Sequence, residues 1–137
     1  ALGAVDCTQE GFPGIGAARY VRLVEEPSVA EAAVVVLDAY QQRGIGSLLI
    51  AALSRYAAAH DIERFRGFVL AENRSFIAFL RDLGTVSERA HSGVIQVDVP
   101  VYERAEDLPE GRGTTRARWA WRTLDEARVG DCETLPD

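Results

Sequence analysis

A short run of glycines and polar residues at positions 41–47, QQRGIGS, has the composition of an anion-binding loop. Gly44 and Gly46 carry no Cβ, so a ligand can approach the main chain closely there. Ser47 and the surrounding N–H groups can donate hydrogen bonds, and Arg43 adds a cation of the kind that phosphate oxygens bind well. These residue types in this order predict a site for a phosphate or a diphosphate.

The segments that flank the loop place it at the start of a helix. Residues 32–37 form an apolar strand pattern, whereas the apolar residues after the loop repeat at helical spacing: Ile45, Leu48, Leu49, Ala52, Leu53 and Tyr56. The first N–H groups of such a helix lack partners, and the positive end of its dipole favours an anion. A turn that needs glycine only for its geometry is the alternative, which the glycine pattern alone does not exclude.

The spacing Gln-x-x-Gly-x-Gly, beginning at Gln41, resembles the acyl-coenzyme A pyrophosphate loop of the GNAT superfamily of N-acetyltransferases. Residues 69–84 resemble a second signature of that family, in which a strand ends, Asn73 begins a helix and the helix ends in Leu-Gly. Two motifs at the right separation are more specific than either alone. The resemblance implies that acetyl-CoA binds the loop through Gln41, Gln42, Arg43, Gly44, Ile45, Gly46 and Ser47.

Periodicity predicts an α/β (α+β) fold with a mixed, largely antiparallel sheet flanked by helices. We expect strands at 1–6, 15–24, 31–37, 64–70 and 94–101, helices at 45–60 and 73–83, and a last strand at 114–123 that pairs with 94–101. The first two strands are expected to form a hairpin, and the third to be central and apolar on both faces. The resemblance covers a domain at 1–123, apparently without the family's first strand and first helices, followed by an acidic tail at 124–137.

The resemblance also implies an opening in the sheet, because the strands at 31–37 and 64–70 start paired and then splay apart. The pantetheine arm would lie there and pair with the main chain of Val35, Val36 and Leu37 like an added strand. Asn73 has two interpretations that can both hold. Its side chain caps the second helix, which is the usual role of Asn at this position, or its amide contacts the arm near the acyl end.

The reaction that the resemblance implies is direct transfer of an acetyl group from a thioester to a primary amine, which needs a base. Glu31 is the predicted base, since a carboxylate partly buried beside apolar strands suits that role near neutral pH. The alternative is an exposed glutamate without a catalytic role. The pattern around Glu31 resembles bacterial protein-lysine acetyltransferases, some of which are fused to nucleotide-sensing domains. Leu80 stands where many relatives have a tyrosine acid, and Tyr20 and the loop residue His91 are weak substitutes.

Composition limits the partners of the chain. Its 137 residues suffice for one domain with a sizeable core, and 15 basic against 21 acidic residues give a net charge of −6. This acidic balance argues against broad binding to nucleic acid or an anionic membrane. Cys7 and Cys132 are too far apart in sequence to suggest a disulfide framework or a metal site. With no apolar run of membrane-spanning length, we expect a cytoplasmic protein.

Three candidate functions follow from these features of the chain. The first is an acetyl-CoA-dependent N-acetyltransferase acting on a protein lysine or a small amine, in a chain that is a possible homodimer or fused to another domain. The second is a non-catalytic acyl-CoA-binding regulatory domain of a larger protein. A nucleotide-binding domain of P-loop type is disfavoured, because no Lys-Ser/Thr pair follows the glycines. The predicted last strand has an arginine face at 116, 118 and 122, for which an acidic acceptor or the adenosine phosphate of the cofactor is one interpretation and a solvated or interface face is the favoured one.

Overall fold

A computed structural model describes residues 2–5, 8–11, 13–41, 44–85, 87–110 and 115–126. The strands are β1 (Leu2–Val5), β2 (Gly14–Arg22), β3 (Val29–Val36), β4 (Arg64–Leu70), β5 (Ser87–His91) and β6 (Val94–Pro100). The helices are α1 (Ile45–Ala58), α2 (Arg74–Asp82) and α3 (Thr115–Glu126), with short 3-10 turns at Asp38–Tyr40 and Ala105–Asp107. None of the described helices is long and apolar enough to cross a membrane; the cytoplasmic location stays a prediction.

The six strands form one sheet in the order β1-β2-β3-β4-β6-β5. Neighbouring strands are antiparallel except β3 and β4, which run parallel. The predicted mixed, largely antiparallel sheet is therefore confirmed, and so is the hairpin of the first two strands. The parallel pair is separated in sequence by α1, since a parallel connection needs a crossover that is usually a helix.

One face of the sheet packs against the helices, and the other carries exposed apolar side chains. Ala18, Ala30 and Phe65 face the helices and are buried with helix residues such as Leu53. The opposite face exposes a group of large apolar side chains: Val21, Val35, Phe68 and Leu70. The third strand is thus central, as predicted, but only one of its faces is covered in the part of the chain that the structure describes.

The strands β3 and β4 are paired only at their beginning. Val29, Ala30 and Glu31 are aligned with Arg64, Phe65 and Arg66, and the register ends there although both strands continue. Further along, β4 remains paired with β6 and β3 with β2. The predicted splay between 31–37 and 64–70 is therefore present, and the two diverging strands bound a cleft.

The predicted strand at 114–123 is wrong, because this segment forms α3. The buried residues Ala117, Ala120 and Trp121 follow helical spacing and have 0% exposure. The alternation in the sequence was accidental, and β6 is instead flanked by β4 and β5. The helix continues through residue 126, so the start of the predicted tail at 124–137 belongs to α3, while residues 127–137 and both cysteines lie outside the described residues.

The structure contains a further strand that the sequence pattern did not predict, β5 at Ser87–His91. Ser92 and Gly93 both have positive φ angles, as the tight turns of hairpins require, and they connect β5 to β6. His91 is therefore the last residue of a strand, aligned with Val94, and not a loop residue. The dipeptide Ser-Gly between polar and apolar runs was the signal that would have identified this hairpin.

Candidate active site

The segment between β3 and α1 turns sharply at Gly44, which has a φ angle of 83°. A left-handed conformation of this kind favours glycine, because a Cβ would be strained there. Before it, the Gln41 side chain donates to the Val36 carbonyl and to Asp38 Oδ1, both at 3.1 Å. The Gln41 side chain thus braces the turn through these two hydrogen bonds. Gln42 and Arg43 lie outside the described residues.

The start of α1 presents unpartnered main-chain donors. Gly44 occupies the N-cap position without a side-chain cap, and its carbonyl accepts from the N–H of Leu48 at 3.0 Å. The N–H groups of Ile45, Gly46 and Ser47 therefore have no partner within the helix. The Ser47 side chain faces the interior, with an exposure of 4%. Ser47 therefore contributes its main-chain N–H, and not its hydroxyl, to the turn.

The cleft between β3 and β4 is a cavity of about 280 Å³ that reaches α2. Its walls are mostly apolar, with Ile50, Phe65, Phe76 and Leu80 on the helix side. Among the described residues that line it, only Glu31 and Asn73 have polar side chains. The structure therefore brings together two residues that sequence analysis named for different reasons, and it adds Phe76 to them.

The register of β3 decides which of its main-chain groups face the cleft. Leu37 N–H donates to Ile15 of β2 at 2.9 Å. Bonded and non-bonded pairs alternate along an antiparallel ladder, so the main-chain groups of Val35 also face β2. Those of Val34 and Val36 face β4 and the cleft. Of the predicted trio, only Val36 has main-chain groups on the cleft side, and Val34 was missed because sequence pattern does not specify ladder phase.

Asn73 lies at the first turn of α2 and at the edge of the cleft. Its carbonyl accepts from Ile77 N–H at 3.1 Å, which places it at the N-cap. The side chain makes no capping hydrogen bond, however, and is exposed. The predicted capping role is not observed, and Asn73 is instead one of the two polar residues, among those described, that line the cleft.

Glu31 is placed where β3 and β4 begin to diverge, aligned with Arg66. Its side chain is exposed, so the partial burial expected from the sequence is absent. Arg66 binds the buried Asp98 through two hydrogen bonds of 2.9 and 3.0 Å. This bond raises the pKa of Arg66 despite a smaller opposing effect of burial, and the charges of Asp98, Glu26 and Glu31 add to it. The paired end of the cleft thus joins acidic and basic side chains from three strands.

At position 80 the cleft is lined by a leucine, which cannot donate a proton. Leu80 is buried with 5% exposure. The ring of Tyr20 packs 5.6 Å from that of Phe65 and 6.2 Å from that of Tyr56. Burial, and to a lesser extent the nearby Tyr56, raise the pKa of Tyr20. His91 is exposed at the end of β5. Neither residue is among those that line the described part of the cleft.

Comparison with known proteins identifies this arrangement. Residues 9–85 match the acetyltransferase (GNAT) family, a range that includes the turn at Gly44, the diverging strands β3 and β4, and α2. The chain is 39% identical over 100 residues to Acetyltransferase Pat of Mycolicibacterium smegmatis, which is 72% of this chain and 30% of that protein.

Two solved structures show the same fold. The GNAT domain of PAT from S. lividans aligns with 67% of this chain and 57% of its own, with 28% identity and a TM-score of 0.56. The cAMP-binding acyltransferase from Mycobacterium smegmatis aligns with 82% of this chain and 35% of its own, with 31% identity and a TM-score of 0.58. The aligned part of this chain therefore spans 30% of the length of Pat and 35% of the length of the cAMP-binding acyltransferase. Because the family match covers the turn and both diverging strands, the chain belongs to the acetyltransferase (GNAT) family.

Proposed function

We propose that this domain transfers an acetyl group from acetyl-CoA to a primary amine, carried by a protein lysine or a small molecule. The observation that carries the proposal is a cleft with unpaired strand edges that leads to the uncapped start of α1. A diphosphate fits the N–H groups at that helix start. The pantetheine arm fits a strand edge, since its amides satisfy main-chain groups as an added strand does.

The cofactor extends from the turn into the cleft. Its diphosphate accepts from the N–H groups of Ile45, Gly46 and Ser47, with Gln42 and Arg43 as further candidate donors. Its arm pairs with the main chain of Val34 and with the N–H of Val36, since the Val36 carbonyl already accepts from Gln41. The Asn73 amide, which is not used as a cap, donates or accepts at the acyl end of the arm.

Transfer forms one bond and breaks another. The neutral amine attacks the thioester carbonyl carbon, the new C–N bond forms, and the C–S bond breaks with its electrons leaving on sulfur. Glu31 accepts the proton that the amine nitrogen loses, directly or through water. A main-chain N–H of β3 that faces the cleft, such as that of Val34, stabilises the oxyanion. The sulfur leaves as a thiolate and takes its proton from solvent, because the cleft has no tyrosine at Leu80.

The test is release of free thiol from acetyl-CoA in the presence of a panel of amines and lysine peptides. We expect Glu31→Gln to lower kcat by about 10²- to 10⁴-fold while leaving the affinity for acetyl-CoA unchanged. Glu63→Gln is the matched control, because Glu63 is also an exposed glutamate but does not line the cleft. Equal activity of the two variants would remove Glu31 from the mechanism.

A non-catalytic acyl-CoA-binding domain is the second candidate, and the observation that favours it is the absence of an acid at Leu80. In that case the wild-type chain binds acetyl-CoA, measured by calorimetry, but releases no thiol above the rate of hydrolysis with any amine. Loss of turnover in Glu31→Gln with retained affinity would count against this candidate.

A further inference from the structure

The two glycines of the turn face different surroundings. A Cβ on Gly46 would lie 3.7 Å from Cε1 of Phe76, which lines the cleft, and 4.0 Å from Val36 Cγ2. A Cβ on Gly44 would lie 2.8 Å from the indole carbons Cη2 and Cζ3 of Trp119 in α3. The turn therefore has a cleft side, next to Gly46, and an indole side, next to Gly44.

Trp119 is 45% exposed, whereas Trp121, two residues later on the same helix, is 0% exposed. The indole of Trp121 is held in the core by a hydrogen bond from Nε1 to the Tyr102 carbonyl at 2.9 Å. Trp119 instead lies against a glycine at the edge of the turn and leaves almost half of its surface to solvent. A large, rigid aromatic ring in this position offers a surface on which a nucleobase can stack.

The chemistry of coenzyme A connects these observations. The molecule carries its thioester at one end and adenosine at the other, with the diphosphate between them. If the diphosphate binds the turn and the arm enters the cleft beside Gly46, the adenosine leaves on the side of Gly44. We infer that Trp119 is a cofactor-binding residue on which the adenine ring of acetyl-CoA stacks, an inference that rests on the proposed function.

The position of α3 supports this assignment. Arg122 is exposed one helical turn after Trp119, so a cationic side chain lies on the same face of α3 as the indole. Thr123 Oγ1 donates to the Trp119 carbonyl at 2.6 Å, and α3 is joined to α1 by the Arg55–Asp125 ion pair at 2.7 Å. The indole is thus presented by a helix that is fixed to the same α1 whose start forms the turn.

The experiment compares two donors that share the acetylated arm and its first phosphate, of which only acetyl-CoA carries the 3′-phosphoadenosine 5′-phosphate unit: acetyl-CoA and S-acetyl-4′-phosphopantetheine. Both are titrated calorimetrically into wild-type protein, Trp119→Ala and Trp119→Phe. We expect Trp119→Ala to bind acetyl-CoA about tenfold more weakly, as for loss of one stacked base, and Trp119→Phe to recover most of the affinity. The affinity for the phosphopantetheine donor should be the same in all three proteins. Tyr56→Ala, which truncates an exposed aromatic side chain elsewhere on α1, is the matched control and should change neither affinity.

Each outcome decides a separate question. Unchanged affinity of Trp119→Ala for acetyl-CoA would overturn the inference and leave the proposed function intact. Equal weakening toward both donors would also overturn it, because Trp119 would then only support the turn. Failure of wild-type protein to bind either donor would overturn the proposed function, and the inference with it.

Discussion

At the scale of single residues, the site depends on two kinds of position. At one kind a ligand must approach the main chain closely, and at the other a polar side chain makes no bond that stabilises the fold. Asn73 stands at a helix start without capping it, and Gly44 adopts a conformation that favours glycine. Asn73 lacks the capping bond that would stabilise an ordinary helix start, whereas the positive φ angle at position 44 makes glycine the residue that fits the turn. Departures of this kind concentrate at functional sites.

The two glycines of the turn should respond differently to alanine. Gly44→Ala combines a positive φ angle with a contact of 2.8 Å to Trp119, so we expect a stability loss of about 1–3 kcal/mol and weak cofactor binding. Gly46 lies in the helix and its Cβ would make only ordinary contacts, so Gly46→Ala should not lower stability. That Cβ would nevertheless face the cleft, and we expect lower affinity for acetyl-CoA. Urea unfolding and calorimetry measure the two effects; equal stability of both variants would contradict this account of Gly44.

At the scale of elements, a small polar cluster around Tyr102 fixes the three helices to one another. The Tyr102 hydroxyl donates to the Leu83 carbonyl at the end of α2 at 2.6 Å. Its main chain bonds Ser54 of α1, with Tyr102 N–H donating to Ser54 Oγ at 2.7 Å. Its carbonyl accepts from Trp121 of α3 at 2.9 Å. One residue after β6 therefore sets the position of α3, and with it that of Trp119.

Tyr102 predicts a pH dependence of stability. Burial raises the pKa of the Tyr102 phenol above its ordinary value, so the folded state holds its proton more tightly than the unfolded state. The contribution is fully present below about pH 10 and is lost as the pH rises through the folded-state pKa. Tyr102→Phe should cost about 1 kcal/mol at pH 7, from the hydrogen bond to Leu83, and should lose less stability than the wild-type protein as the pH rises above about 10.

Denaturant unfolding at several pH values measures this slope. Tyr20, whose pKa burial also raises, remains in the variant, so the slope should decrease but not vanish. An identical alkaline slope in wild-type protein and Tyr102→Phe would show that Tyr102 does not cause it.

At the scale of the whole molecule, the sheet is held together at one end of the cleft and opened at the other. At the closed end, Asp98 is 3% exposed and takes two hydrogen bonds from Arg66. Arg64 Nε lies 3.8 Å from Asp98 Oδ2, close enough for charge attraction but too far for a hydrogen bond. The ion pairs join β4 to β6 where the pairing of β3 with β4 ends, so they anchor the strand that forms one wall.

Removing one partner of the Arg66–Asp98 ion pair should destabilise the chain more than replacing both partners with apolar residues. Arg66→Met leaves the buried Asp98 carboxylate without its main partner, and we expect a loss of about 1–3 kcal/mol in urea unfolding. Arg66→Met with Asp98→Leu removes both charges and should recover part of that loss. Arg81→Met is the matched control, because it removes a similar pair with Glu88 that is exposed to solvent and should cost much less. A single variant no less stable than the double variant would contradict this role for Asp98.

Most elements could be predicted from the sequence where local pattern and burial agree. The strand at 64–70 and the helix predicted at 73–83 are present, because each buries one clear face, which in the helix consists of Ile77, Leu80 and Leu83. The segment at 114–123 misled because arginines alternate with apolar residues while Ala117, Ala120 and Trp121 also follow helical spacing. Packing against α1 selected the helix, and that contact is not encoded in the local alternation.

The sequence by itself determined the family resemblance, the turn at Gly44 and the strands on either side of the cleft, because glycine, helix starts and apolar periodicity act over a few neighbouring residues. Only the tertiary structure decided which main-chain groups of β3 face the cleft, that Glu31 and Asn73 share it, and that Trp119 adjoins Gly44. These facts depend on ladder phase and on contacts between residues far apart in the chain. Such contacts arise from the packing of whole elements, which local pattern does not specify.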